Sequence, residues 1–463
     1  VRSRADLRLV IAALVAGVCF DLAVRSGVAT IAVTAYIAAV TAALLLSNRV
    51  RGRLSMLMII MAAVFGLAFM VRSSLWVTGP VAVAVAFLVL LGTSLAAGGD
   101  GLAGTFPALA TRAGVVFAHL VLAPGMFRFE GDSPQSELAR KWGQGVLRGL
   151  AIGLPVLLVV GLLLASADPI FRSWFNPPLV LQHVVLVIAG AWLMTGLARA
   201  ASAQQPLPVL KPAPKLGPVE VTIVLGGLSA LYTAFVAAQF VALSGAGHHI
   251  LVTQGLTYAE YARSGFFRLL ACAAITLLVL LGLRGCTDSA RPVTGVLSAL
   301  TAVLTLGVVV VAFRRLQLYE TVFGLTMLRL ACFAVAVWIG VVFVLLGATL
   351  VPRGLPGKRF PAVFIASGLV LIAAWTVINP AAIVAETNLR RAEQGRTLDI
   401  AQVVSMGPDA VPSIFADLPR LPQASRLRSA VCRSVPGKYG GLSFNVDRSA
   451  AGGALAGHCR RRS

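Results

Sequence analysis

Arg314, Arg315, Tyr319, Glu320, Thr326 and Arg329 crowd into one stretch, Phe313 to Trp338, between two long apolar segments. A guanidinium presents a fixed fork of N–H donors that suits carboxylates and phosphates, and Tyr319, four residues from Arg315, offers a ring face for stacking. The chemistry open to such a stretch is recognition of an anion or the tying down of a loop. Residues of the same kind recur elsewhere: Asp168 before Pro169, Tyr258, Glu260, Tyr261 and Arg263 in close succession, and Asn379 before Pro380. On a helix Tyr258 and Tyr261 form an aromatic belt at the membrane interface, and Glu260 lies within ion-pair reach of Arg263. Asp168, Tyr258, Glu260, Tyr261, Arg263, Arg315, Tyr319, Thr326, Arg329 and Asn379 thus make up a candidate polar cluster on the outer face. One reading is interfacial anchoring with salt bridges between loops. The other is a shared pocket for an anionic ligand or lipid head group, with Arg315 and Arg329 as its cations. Arg329 is expected to couple to Asp168 or Glu260, because an arginine at the mouth of a membrane span needs an anion nearby.

Beyond this cluster the sequence names no reaction. It contains no phosphate-binding glycine loop, no HExxH and no GxSxG, so no catalytic residue, cofactor or metal is assigned. His248 and His249 are adjacent, point different ways and sit beside Gly245 and Gly247, as in a flexible loop. Asp21 and Arg25 are spaced for an ion pair within one helix, the alternative being a proton-relay carboxylate.

The elements that carry these residues are set by the bilayer. Apolar residues make up 58% of the chain and charged ones 12%, well away from the balance of soluble domains. Runs of about 18 to 22 apolar residues match the ~30 Å hydrocarbon layer. They fall near 9–24, 28–47, 54–71, 77–97, 149–167, 179–198, 219–243, 266–283, 293–313, 327–348 and 361–378. The fold class is therefore all-α, a polytopic bundle of about eleven spans with a C-terminal appendage. Segment 105–127 is apolar but carries Arg112 and His119 on one face, and reads as interfacial or re-entrant; Ser133 and Pro134 open an amphipathic helix after it. Residues 1–148 form a four-span region with cytoplasmic interfacial helices, 149–380 a membrane domain of about seven spans, and 381–463 a tail expected to be extracytoplasmic and partly disordered. A proline-rich stretch, 200–218, links the two halves of the bundle on the cytoplasmic side.

The net charge is +22, and Arg and Lys alternate between heavy and light loops from the N-terminus onward, which places that terminus in the cytoplasm. Arg314, Arg315 and Arg329 break the alternation by falling on the outer side. Such charge suits a lipid surface, and no basic face on a soluble fold points to nucleic acid. Gly226, Ala230, Ala234 and Ala238 form a small-residue stripe expected to admit a neighbouring helix, while Thr294, Ser298 and Thr305 should bond backbone or an adjacent helix. Of six cysteines, Cys19, Cys272 and Cys332 lie in apolar runs and Cys286 on the cytoplasmic side; Cys432 and Cys459, in a tail placed outside, are open to pairing.

The segments Ser166-Ala167-Asp168-Pro169-Ile170-Phe171, Leu256 to Phe267, and Leu318-Tyr319 with Phe323 to Leu330 resemble the signature segments of a bacterial polytopic membrane family, domain of unknown function 4173, of which 4153 is a relative. Asn379-Pro380 and Asp409 to Pro412 are similar to its C-terminal pattern, whereas Ser264 stands where that pattern has a second arginine. The resemblance implies an integral protein of the bacterial plasma membrane and carries no activity with it. The expected function is non-enzymatic binding of an anionic lipid, envelope polymer or protein partner through the outer cluster. The alternative is a transporter or lipid flippase that uses the cluster as its outer gate.

Overall fold

The computed structural model describes residues 2–27, 29–47, 50, 52–96, 116, 120, 179–202, 218–243, 258–286, 292–350, 354–434 and 441–459. All regular structure among them is helical. The chain divides into two compact units, one of residues 1–101, 107–208 and 438–449, the other of 102–106, 209–437 and 450–463.

The first unit contains α1 (Arg2–Ser26), α2 (Ile31–Leu46), α3 (Arg53–Gly66), the single turn α4 (Ala68–Val71), α5 (Leu75–Ala96) and α6 (Leu179–Ser202). Gly27, at φ +93°, closes α1 in a conformation a side chain would strain. Hydroxyls then stitch neighbouring spans through backbone carbonyls, Thr34 Oγ1 to Gly66 O at 2.9 Å and Ser55 Oγ to Gly92 O at 2.6 Å. In hydrocarbon such bonds have no water to compete with them. Helices α1 and α6 cross backbone to backbone at Gly17 and Gly190, where a Cβ on Gly190 would lie 2.5 Å from that of Phe20. Segment 441–449 belongs to this unit: Phe444 O accepts the Ile31 N–H at 3.0 Å, and the fully buried Asn445 donates to Phe69 O and Arg72 O at 3.0 and 3.1 Å. Asp447 pairs with Arg72 at 3.1 Å.

The second unit begins with α7 (Pro218–Leu243), α8 (Tyr258–Cys286), α9 (Pro292–Phe323), α10 (Met327–Ala348) and α11 (Phe360–Val377). Val221, Leu225, Leu280, Val309, Val342 and Phe343 are among the residues of its membrane core. A hydroxyl seam joins three of its helices: Ser229 meets Thr301 at 2.9 Å, and Tyr232 meets Thr276 at 2.5 Å. Thr305 bonds the Thr301 carbonyl at 2.6 Å, the backbone bonding expected of it.

Among the described residues nine helices are long and apolar enough to cross a membrane. Of the eleven expected spans, 28–47 appears as the 16-residue helix Ile31–Leu46, and 149–167 lies outside the described residues. At 1.5 Å per residue α2 rises about 24 Å, short of the hydrocarbon thickness. Helix α9 errs the other way: it was expected to end near residue 313 and continues to Phe323, 32 residues in all. Helix α6 likewise runs through Ala200 to Ser202, where the linker was expected to begin. The small-residue stripe of α7 is not a packing face, since Ala230, Ala234 and Ala238 are exposed and the buried side is that of Val221, Leu225, Ser229 and Tyr232. In lipid both faces of a span are apolar, so residue size alone does not reveal which one meets a neighbour. Most of 105–127, the Ser133 helix, most of the linker, and His248 and His249 lie outside the described residues.

Where a partly disordered tail was expected, the chain folds into α12 (Pro380–Glu393), α13 (Ile400–Ser405), α14 (Val411–Asp417), α15 (Ala424–Ser434) and α16 (Val446–His458). The charged residues of α12 leave one of its sides apolar. Ala381, Val384, Ala385, Leu389 and Ala392 recur there at helical period and bury against Ile414, Phe415, Leu418, Leu427, Val431 and Leu455. A disulfide joins Cys432 to Cys459.

Candidate functional site

The polar island of the sequence lies where α9 stops and α10 starts. Gly324, at φ +77°, leaves the helix in the left-handed region, and its N–H closes the last turn on Glu320 O at 2.8 Å. Thr326 restarts the chain as the N-cap of α10, its hydroxyl accepting the Arg329 N–H at 3.2 Å. A break between two spans frees backbone groups that must find partners. Leu325, 5% exposed, is held by Asn388 of α12 on both sides, its N–H donated to Oδ1 at 3.0 Å and its carbonyl accepting Nδ2–H at 2.7 Å. Gln402 of α13 adds a second donor to the same carbonyl at 2.7 Å. Arg391 Nη1 donates to the C-terminal carbonyls of α9, Glu320 O at 3.1 Å and Thr321 O at 2.9 Å, where a cation also complements the helix dipole.

Arg329 folds back over this break. Its Nη1 donates to Gly324 O, and its guanidinium carbon lies 4.2 Å from the centre of the Tyr319 ring, which in turn packs on Phe323. Among the described residues Arg329 is held by a carbonyl and an aromatic face, and its expected coupling to Asp168 or Glu260 falls on side chains outside them. Arg315 donates to Gln239 Oε1 at the end of α7 at 3.4 Å. Asn379 takes the left-handed conformation at φ 50°, caps α12 through Ala382 N–H at 3.3 Å, and donates to Asp409 O at 2.9 Å.

Of the ten candidates, then, Arg315, Tyr319, Thr326 and Arg329 gather along the end of α9 and the break, and Asn379 fixes the start of the C-terminal helices. Tyr258, Glu260, Tyr261 and Arg263 fall in the first turns of α8. Phe266, just beyond them, packs with Ala312, Leu316 and Cys332, so their backbone is at the same end of the bundle. Their side chains, and Asp168 entirely, lie outside the described residues. Asn388, Arg391 and Gln402 were missed. They are ordinary polar residues on amphipathic helices more than sixty positions away, and only the apolar stripe of α12, which marks a packed helix needing a docking surface, hinted at them.

In the first unit Asp21 and Arg25 pair as their spacing suggested, Oδ1 to Nε at 3.2 Å. His183 joins them, Nδ1 to Asp21 Oδ2 at 2.6 Å. The signal available in the sequence was depth: Asp21 near the end of one span and His183 near the start of another are ionisable residues at the same level.

A bundle of apolar helices with a packed helical head bonded to the break between two spans defines a multi-pass integral membrane protein. The family model described as Domain of unknown function (DUF4153) matches residues 59–416, well over half of the chain, and the chain belongs to that family. It is the relative, not the 4173 family itself, that the match identifies. No curated protein and no solved structure matches the chain.

Proposed function

We propose that the chain is a non-enzymatic protein of the bacterial plasma membrane that presents its C-terminal helices outside the cell as a head binding an anionic envelope component, a lipid or polymer. The observation that carries this reading is the joint at Leu325. Its backbone is bonded through both N–H and carbonyl, and Arg329 is engaged by the Gly324 carbonyl and the Tyr319 ring, which suits a fixed mount better than a gate that opens. The outward placement is supported by the arginine alternation and by the Cys432–Cys459 disulfide, a bond that persists in oxidising compartments. The anionic preference is supported by α15, which carries Arg426, Arg428 and Arg433 and no acidic residue. Ser425, Arg426, Ser429 and Arg433, with Ile400 and Ala430, line a groove of about 490 Å³. Guanidinium and hydroxyl groups in one groove suit phosphate or carboxylate.

The test is to purify the full chain in mild detergent from bacterial membranes and identify co-purifying lipids, polymers and proteins by mass spectrometry, beside Arg426→Glu/Arg433→Glu. An anionic species present with the wild type and depleted from the variant is expected. The same species in equal amount with both would refute the head as the binding element. The flippase or transporter reading has one observation in its favour, an apolar cavity of about 600 Å³ among the spans of the first unit, lined by Phe20, Tyr36, Val85, Val89 and Leu193 among others.

A further inference from the structure

We infer that Arg25 and His183, positioned by the buried carboxylate of Asp21, form a binding site for the phosphate of a membrane lipid. Asp21 is 5% exposed, and both its oxygens are engaged, one by Arg25 Nε at 3.2 Å and the other by His183 Nδ1 at 2.6 Å. Arg25 also donates through Nη2 to Gln182 Oε1 at 3.4 Å. If stabilising the end of α1 were the whole purpose, Arg25 alone would neutralise Asp21 at the i, i+4 spacing. The structure adds a second basic group from another helix, so two nitrogen bases share one carboxylate.

What remains after these bonds has the shape of an anion site. With Nε spent on Asp21, the guanidinium keeps its Nη1 donors, and the Arg25 side chain is 29% exposed. With Nδ1 spent on the same carboxylate, Nε2 is the ring atom left for a ligand, and the His183 side chain is 47% exposed. As imidazolium it donates to a phosphate oxygen, and as imidazole it accepts from a protonated one. The buried carboxylate fixes both side chains, so little rotamer entropy is lost on binding.

The position selects a lipid as the source of the phosphate. Arg25 lies in the last turn of α1 and His183 in the second turn of α6. Arg25 is therefore one residue, ~1.5 Å, from the end of its span and His183 four residues, ~6 Å, from the end of its own, close to the level of lipid head groups. Exposed apolar residues surround them, Val18, Leu22, Leu179, Val180 and Val184, as on a surface that faces acyl chains. This site shares no residue with the groove on α15, and the failure of either leaves the other standing.

The test uses the full chain in dodecyl maltoside micelles and phosphatidylglycerol carrying a fluorescent label on one acyl chain. Arg25→Gln and His183→Leu should each weaken binding by about tenfold, the scale of one charge-assisted hydrogen bond. Arg25→Lys, which keeps the charge and the contact with Asp21 but loses the fork, should fall between wild type and Arg25→Gln, and serves if the glutamine variant does not fold. Excess inorganic phosphate should leave the lipid bound. Unchanged affinity in the folded variants overturns the site, and displacement by inorganic phosphate overturns its assignment to a lipid.

Discussion

Replacing Asn388 by alanine tests the joint most directly. The side chain makes two bonds to one residue, and the two losses are not alike. The Leu325 N–H has no described partner besides Asn388 Oδ1, so the substitution leaves a donor unsatisfied on a residue that is 5% exposed. That desolvation penalty is ~1 to 3 kcal/mol. The Leu325 carbonyl keeps Gln402 Nε2 at 2.7 Å, so losing Asn388 Nδ2 there costs only the net value of one bond, ~1 kcal/mol. Asn388→Ala should therefore cost roughly 2 to 4 kcal/mol and Gln402→Ala about 1 kcal/mol. The double variant should lose more than the sum of these, by ~1 kcal/mol or more, because only then is the carbonyl stripped of both donors. The assay is denaturant unfolding of the full chain in detergent, with limited proteolysis of residues 380–434 reporting on the head itself. Additive losses, or an Asn388→Ala variant within ~0.5 kcal/mol of wild type, would refute the account of Leu325 as a bonded, fixed joint.

Three further outcomes are expected. Gly190→Val should separate α1 from α6 and cost ~1 to 3 kcal/mol or more in thermal unfolding, because its Cβ would lie 2.5 Å from that of Phe20 and 2.9 Å from the Gly17 backbone; a neutral substitution would mean the helices do not cross there. Asn445→Ala should cost ~2 to 4 kcal/mol by stripping Phe69 O and Arg72 O of a donor and Arg448 N–H of its acceptor, read as earlier proteolytic release of the C-terminal segment. In intact cells an impermeant thiol reagent should label Cys432 and Cys459 only after reduction and Cys286 not at all, and Cys432→Ser should lower stability by ~2 to 4 kcal/mol; labelling of Cys286 but never of the tail would reverse the orientation proposed above.

The spans were legible because length and apolarity are written locally. Every described helix that is long and apolar enough to cross coincides with an expected segment. Between two of them Gly324 leaves the helix and Thr326 caps the next, a junction ten residues beyond the end expected for that span. What stayed hidden was contact across sequence. Arg329 called for a counter-charge, and nothing near it in the chain says that the Gly324 carbonyl and the Tyr319 ring also hold it. Asn388 and Gln402 answer the needs of Leu325 from other helices, a relation no local pattern encodes. The stripe on α7 shows the same limit inside the membrane: periodicity reports a buried face when the surroundings are water, and loses that meaning when they are hydrocarbon. The helices after Pro419 went unread for the converse reason, their arginines, prolines and glycines outweighing Leu427, Val431 and Leu455, which only a packed core makes visible.

The length of α9 has a mechanical consequence. Thirty-two residues in one unbroken helix rise about 48 Å, against ~30 Å of hydrocarbon. Its last turns are the ones clasped by Arg391, while Leu325, held by Asn388 and Gln402, follows directly. A rigid rod gripped at its tip is a lever: a change of ~10° in tilt would carry that tip sideways by roughly 8 Å relative to its other end. Changes in bilayer thickness or lateral pressure would thus reach the C-terminal helices as displacement, without any rearrangement inside them.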